Sequence, residues 1–287
     1  MGGPEWPALS PHWGMSRQGR FVTLVHVGAT LEETQARAFW WDRARPADAH
    51  VDQLRAVLFD LDGALADIER DGHRVAFNAA FAAHGLDIEW DVREYGRLLR
   101  IRDERRRIAS ALRGQGFGAD AGALAAQVHR TKTSVFEGCL LDGDVAPRPG
   151  LVDLVMSLFV AGVWVGVVST GRRTWAEPLA RQLIGDGIAE TIVTIDDVPD
   201  THIHPDLHGI ALWEMGLAPE SALAIAGSVR GLRAARDAKL ATVVVTTGYS
   251  AEQDFTGAVA VRPGYDGAAP LLAAGCERLH RRWWAAR

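Results

Sequence analysis

Lysine is nearly missing from this chain. Of 31 basic residues only Lys132 and Lys239 are lysines, so between those two positions any side-chain cation must come from arginine or histidine. Cysteine is equally sparse: Cys139 and Cys276 form neither a disulfide framework nor a metal-ligand spacing, which points to a reducing cytoplasm. Positive charge is not in excess either. The formal net charge is −5 and the pI about 6.1, which gives no electrostatic footprint for nucleic acid. The start, Met1-Gly-Gly-Pro-Glu-Trp-Pro7, lacks a basic n-region and an apolar h-region, so no signal peptide is expected. The longest apolar stretch, Leu154 to Val168, contains Ser157 and Gly162 and falls short of the roughly 20 residues that a membrane span needs. It reads as a buried helix turning into a buried strand.

What is present is a globular composition, 48% hydrophobic and 23% charged over 287 residues, enough for a core domain and a smaller one. The most informative stretch is Ala56 to Asp67, A-V-L-F-D-L-D-G-A-L-A-D. Ala56 to Phe59 has the length and bulk of a buried parallel strand, yet it ends in two carboxylates, Asp60 and Asp62, and then Gly63. Residues i and i+2 of an extended segment point the same way, so both acids can flank one reacting centre while Gly63 lets the backbone turn away. At the carboxyl end of a parallel strand, where open α/β sheets gather ligands, such a pair suggests chemistry on a phosphate.

This stretch resembles motif I of the haloacid dehalogenase superfamily, hhhhDxDGT followed by a further acid. With Asp71-Gly-His-Arg-Val-Ala-Phe-Asn-Ala-Ala-Phe81 behind it, it is most similar to the branch of the β-phosphoglucomutases and xylulose-bisphosphate phosphatases. The similarity runs from about Arg55 to near the C-terminus. It implies an α/β fold: a Rossmann-like parallel sheet core (residues 51–67 and 145–287) with an inserted helical cap (68–144), behind an N-terminal extension (1–50). It implies that Asp60 is the nucleophile, forming an aspartyl-phosphate, and that Asp62 is the general acid and base. Ser169, Thr170 and Gly171, at the end of the next strand, would hold the phosphoryl oxygens. His73 and Arg105 would meet the substrate from the cap, and Mg²⁺ would sit at Asp60 and Asp62.

The rest of the chain is read by alternation. Helices are expected at Val92–Leu99, Glu104–Leu112, Ala121–Phe136, Leu151–Val160, Asp206–Met215, Val229–Ala238 and Leu271–Trp284, with one more closing near Leu183. Strands are expected at Val163–Val168, Glu190–Ile195, Leu223–Ala226 and Ala241–Thr246. In the extension, Phe21–Val27 reads as a strand and Thr30-Leu-Glu-Glu33 as a capping box. Its four tryptophans, Trp6, Trp13, Trp40 and Trp41, suit either a flap packed on the core or a docking segment for a protein partner.

Four positions depart from the family pattern. Ala64 replaces a threonine. The cap loop reads Arg102-Asp103-Glu104-Arg105 where relatives carry Gly-Gly-Lys, and Asp103 and Glu104 would repel a phosphate. At motif III the lysine becomes His202, ahead of Pro205-Asp206, and no lysine lies nearby to replace it. At motif IV the magnesium-holding acid is replaced by Ala226-Gly227-Ser228, which leaves Mg²⁺ weakly held or absent. Losing one preorganised charge typically costs ~10² to 10³ in rate, and losing two on the order of 10⁴. A compensating metal site for a softer ion is conceivable from His202, His204 and His208 with Asp196, Asp197 and Asp200. Two functions follow: a phosphohydrolase for a small sugar phosphate with weakened chemistry, or a non-catalytic relative that binds a protein partner.

Overall fold

A computed structural model describes residues 51–141, 145–198 and 206–287. The extension, with its expected strand, capping box and tryptophans, lies outside the described residues, and so do Asp200, His202 and His204.

Six parallel strands form one sheet in the order β3-β2-β1-β4-β5-β6. They are β1 (Ala56–Asp60), β2 (Trp164–Val168), β3 (Ala189–Val193), β4 (Ala222–Ala226), β5 (Ala241–Val245) and β6 (Ala260–Arg262). β4 and β5 are buried along their whole length, and their small and β-branched residues suit strands covered on both faces. β1 lies between β2 and β4, with Asp60 opposite Val168 and Phe59 opposite Ile225. The chain winds outward from β1 first one way and then the other, so the tip of β1 is the switch point at which such sheets open a crevice.

Helices flank both faces. Leu151, Leu154, Ala176, Leu179, Ala273 and Cys276 cover one side, from α5 (Leu151–Val160), α6 (Arg173–Ile184) and α9 (Ala273–Ala285). Leu207, Ala211, Leu212 and Ala235 cover the other, from α7 (Leu207–Glu214) and α8 (Val229–Asp237). Between β1 and α5 the chain is helical: a π-helical turn at Glu69–His73, then α1 (Arg74–Ala83), α2 (Val92–Leu98), α3 (Glu104–Gly114) and α4 (Ala121–Leu141). This insert has its own core, in which Phe77, Phe81, Trp90 and Tyr95 pack ring against ring.

Some expectations shift. α4 runs to Leu141, beyond Phe136, because nothing in its sequence stops it: Gly138 is tolerated inside a helix. β6 is a three-residue strand too short to announce itself in sequence. The third strand ends at Val193, and a 3-10 turn takes Ile195–Asp197, closed by a capping box from Thr194. The helix read as buried within Leu154 to Val168 has an outer face, where Met156, Phe159 and Val160 of α5 are exposed, Val160 to 82%.

Candidate active site

The site is built outward from the tip of β1. Beyond Asp60 the backbone turns through two i→i+5 bonds, Leu65 N–H to the Asp60 carbonyl and Ala66 N–H to that of Leu61. Gly63 takes φ +79, a left-handed conformation that favours glycine. The loop's carbonyls are held from outside, Gly63's by Arg148 Nη1 at 3.0 Å and Ala64's by the Tyr265 hydroxyl at 2.9 Å. Asp60 thus stands on a fixed support, its side chain 16% exposed and one oxygen against the backbone of Gly231 in the first turn of α8. Asp62 keeps contact with solvent but is ringed by protein. Burial, reinforced by the charges of Glu69, Asp67 and Asp60, pushes its carboxyl up to about 8, against the pull of the Ile68 N–H. The solvent that reaches it tempers that rise.

On the neighbouring strand, Ser169 follows Val168, the register partner of Asp60, so the sheet brings the hydroxyl loop beside the acids. Ser169 is buried and its Oγ accepts from Gly171 N–H at 3.0 Å, which leaves the hydroxyl hydrogen free to donate. Thr170 is exposed. Gly171 lies directly beneath the ring of Trp175, where any Cβ would collide with it. Trp175 meets Phe136 edge-on at 5.3 Å, and Phe136 stacks on His73 at 4.1 Å, so an aromatic chain links the phosphate-type loop to the insert.

Within the insert the predicted residues part company. His73 Nδ1 lies 2.7 Å from Lys132 Nζ; burial first, then Lys132 and Arg107, hold the imidazole well below its ordinary pKa, so the neutral ring accepts from the ammonium. Arg105 lies on the exposed face of α3. From the same run it is Arg107 that turns inward, donating to the Tyr95 hydroxyl at 3.1 Å, which in turn donates to Glu69 Oε2 at 2.6 Å. Glu104, read as a repelling acid, is gripped by Lys132 at 2.8 and 3.0 Å and by His129 at 3.0 Å. Lys132 and this grip were not foreseen; a lone lysine on an otherwise apolar helix stripe was the available signal.

His208, the second residue of α7, was placed among candidate metal ligands. Its Nε2 instead lies 3.5 Å from Asp60 Oδ1, buried and with no hydrogen-bond partner among the described residues. Asp196 and Asp197 are occupied elsewhere. Asp196 accepts from Arg173 N–H at 2.8 Å, and Asp197 accepts from Thr194 N–H at 2.7 Å and from Arg173 Nη2 at 2.5 Å.

The haloacid dehalogenase-like hydrolase family model matches residues 54–239. The chain belongs to that family. It is 38% identical over 208 residues to protein CbbY of Cereibacter sphaeroides, an alignment covering 71% of this chain and 90% of that one. A CBBY-like protein of Arabidopsis thaliana is 34% identical over 216 residues, 72% and 67% of the two chains. The crystal structure of CbbY from Rhodobacter sphaeroides in complex with phosphate superposes with a TM-score of 0.62 at 36% identity, over 78% of this chain and 99% of that one. A mutant of the same protein in complex with xylulose-(1,5)bisphosphate gives 0.62 at 35%, over 78% and 100%.

Haloacid dehalogenase-like hydrolases generally use Mg²⁺, and this chain's fit to that ion can be tested on its residues. Beside Asp60 and Asp62 no third acid arrives from β4. Gly227 packs its backbone onto Gly63 instead, so tightly that a Cβ there would lie 2.5 Å from the Gly63 carbonyl carbon and 2.9 Å from Ala64 N. Among the described residues no group of three or more His, Cys, Asp or Glu side chains could hold a metal ion. The described donors therefore do not fit a complete divalent-ion shell. Nor is any helix among them long and apolar enough to cross a membrane.

Proposed function

We propose that this haloacid dehalogenase-like chain is a phosphatase acting on a small sugar phosphate through an aspartyl-phosphate. One observation carries the reading: Asp60 ends the central strand beside the Ser169 loop, and Asp62 follows it where the protein packed around it and the acids Glu69, Asp67 and Asp60 raise its carboxyl above the ordinary range. That divides the labour between otherwise similar acids. An Asp60 oxygen attacks phosphorus and forms an acyl phosphate; the ester oxygen leaves and takes the proton of Asp62. The Asp62 carboxylate then accepts a proton from water as that water attacks phosphorus, which releases inorganic phosphate and restores both acids. The Ser169 hydroxyl and the Thr170 N–H receive the phosphoryl oxygens, while the Gly171 N–H holds Ser169 Oγ in place.

The relatives' bound ligands, phosphate and xylulose-(1,5)bisphosphate, favour a sugar phosphate as substrate, with the helical insert as a cap over it. His73 is buried in the insert against Lys132 and Phe136, and Arg105 is exposed on α3. With Gly227 where the family carries an acid, the site is weakened. That same replacement favours the second reading, a binding protein that keeps the fold and engages a protein partner through residues 1–50 and the cap.

One experiment separates the two. Phosphate release from an aryl phosphate and from xylulose-(1,5)bisphosphate is measured for the wild type and Asp60→Asn. Turnover that falls by about 10³ or more in the variant supports the enzyme; equal rates, or none in the wild type, leave the binding protein.

A further inference from the structure

We propose that His208 does at Asp60 part of the work that the family assigns to the motif III lysine, holding and orienting the attacking carboxylate. The inference rests on the reading of Asp60 as nucleophile. The expected substitute, His202, precedes α7; His208 comes from inside the helix, six positions later in the chain.

Three independent features converge on it. Its Nε2 lies 3.5 Å from Asp60 Oδ1, and the residue is only 3% exposed. Among the described residues that nitrogen is buried without a hydrogen-bond partner, which a side chain present only to fill space would avoid, since an apolar residue would pack there without leaving a polar atom unmatched. Moreover, the histidine sits in the first turn of α7, which gives its ring a fixed approach to Asp60. It is fixed there by the Asp206 cap, whose Oδ1 accepts from Gly209 N–H at 2.8 Å.

No lysine competes for the place. Lys132 is spoken for by His73 and Glu104, and Lys239 stands beyond the far end of α8. The other Asp60 oxygen lies against the backbone of Gly231. The carboxylate is thus bracketed between a helix N-terminus on one side and the imidazole on the other, and His208 is the only member of that pair that side-chain replacement can remove. We assign it as a positioning residue, acting through its contact with Asp60.

The test compares His208→Leu, His208→Gln and His208→Lys with the wild type and Asp60→Asn. Turnover of p-nitrophenyl phosphate and binding of inorganic phosphate by titration calorimetry are both read, and thermal melts report folding. For a positioning residue, leucine lowers kcat by about 10² to 10³ and weakens phosphate binding by about tenfold or more, lysine keeps both within about tenfold of the wild type, and glutamine falls between. A packing role predicts the reverse order, with leucine best tolerated and the buried lysine worst. If leucine and wild type bind phosphate and turn over alike while Asp60→Asn is inert, the His208 assignment is wrong and the nucleophile stands. If Asp60→Asn is as active as the wild type, the aspartyl-phosphate reading has failed instead. Should the wild type show no turnover, the ranking of phosphate affinities decides, and the glutamine variant serves if leucine or lysine prevents folding.

Discussion

Asp62 bears a cost that its neighbours impose. The protein packed around it and the acids Glu69, Asp67 and Asp60 raise its carboxyl from 3.8 toward about 8, less the screening by the solvent that reaches this exposed residue, so over that window the folded protein holds a proton that the unfolded chain has released. Stability from this group is therefore fully present below about pH 4 and lost as pH rises through 8. Asp62→Asn should raise the melting temperature, more at pH 8.5 than at pH 4, when measured in a chelator; an equal gain at both would sink the account. Gly227 gives a second residue-scale prediction. Restoring the family acid with Gly227→Asp should not rescue activity but destabilise the fold by about 1–3 kcal/mol in urea unfolding, because the new Cβ meets the Gly63 backbone. Asp60, Asp62 and Ser169 were legible because strand-end acids and hydroxyls follow apolar runs that name their own position. The closure of Gly227 onto Gly63 was not, since an absent carboxylate in sequence says nothing of whether space or backbone takes its place.

Whole elements tell a similar story. The ends of α5 were readable because a left-handed Gly150 precedes an apolar stripe that ends at Gly162. The π-helical turn at Glu69–His73 was not, for its wider winding leaves no periodic mark over five residues. Yet that turn sets both Glu69 and His73 into the insert's polar cluster, where Tyr95 and Lys132 meet them. α4 supplies the cation of the cluster. Lys132 is 4% exposed at its side chain and lies 4.8 Å from the Phe77 ring centroid and 4.9 Å from that of Phe136. Lys132→Met should therefore cost about 2–3 kcal/mol by leaving Glu104 with only His129 and the neutral His73 beside it. Adding Glu104→Gln should recover part of that loss, since both partners of the pair are then gone. Chemical denaturation of the single and double variants measures the difference, and a strictly additive pair would show that the two groups do not depend on each other.

At the scale of the molecule, the alternation of apolar strands and helices was enough to give the parallel sheet, and the outward winding from β1 then fixes where a ligand crevice must open. What alternation does not carry is how completely that crevice is equipped, and a property of the whole chain can report it. An ion that binds only the folded state stabilises it by RT ln(1 + [L]/Kd). A site with two carboxylates and no third acid, with a Kd of about 5 mM, gains ~0.4 kcal/mol at about 5 mM Mg²⁺. For a chain of this size that is a rise in Tm of about 1 °C. A complete shell with a Kd near 50 µM would gain ~2.7 kcal/mol at the same concentration, several degrees. Since β4 presents Gly227 rather than an acid, and that glycine is already in contact with the β1 loop, the smaller shift is expected. A rise of more than about 3 °C in a melt with Mg²⁺ against chelator would mean that an acid outside the described residues completes the shell. The weakened chemistry argued from motif IV would then have to be given up.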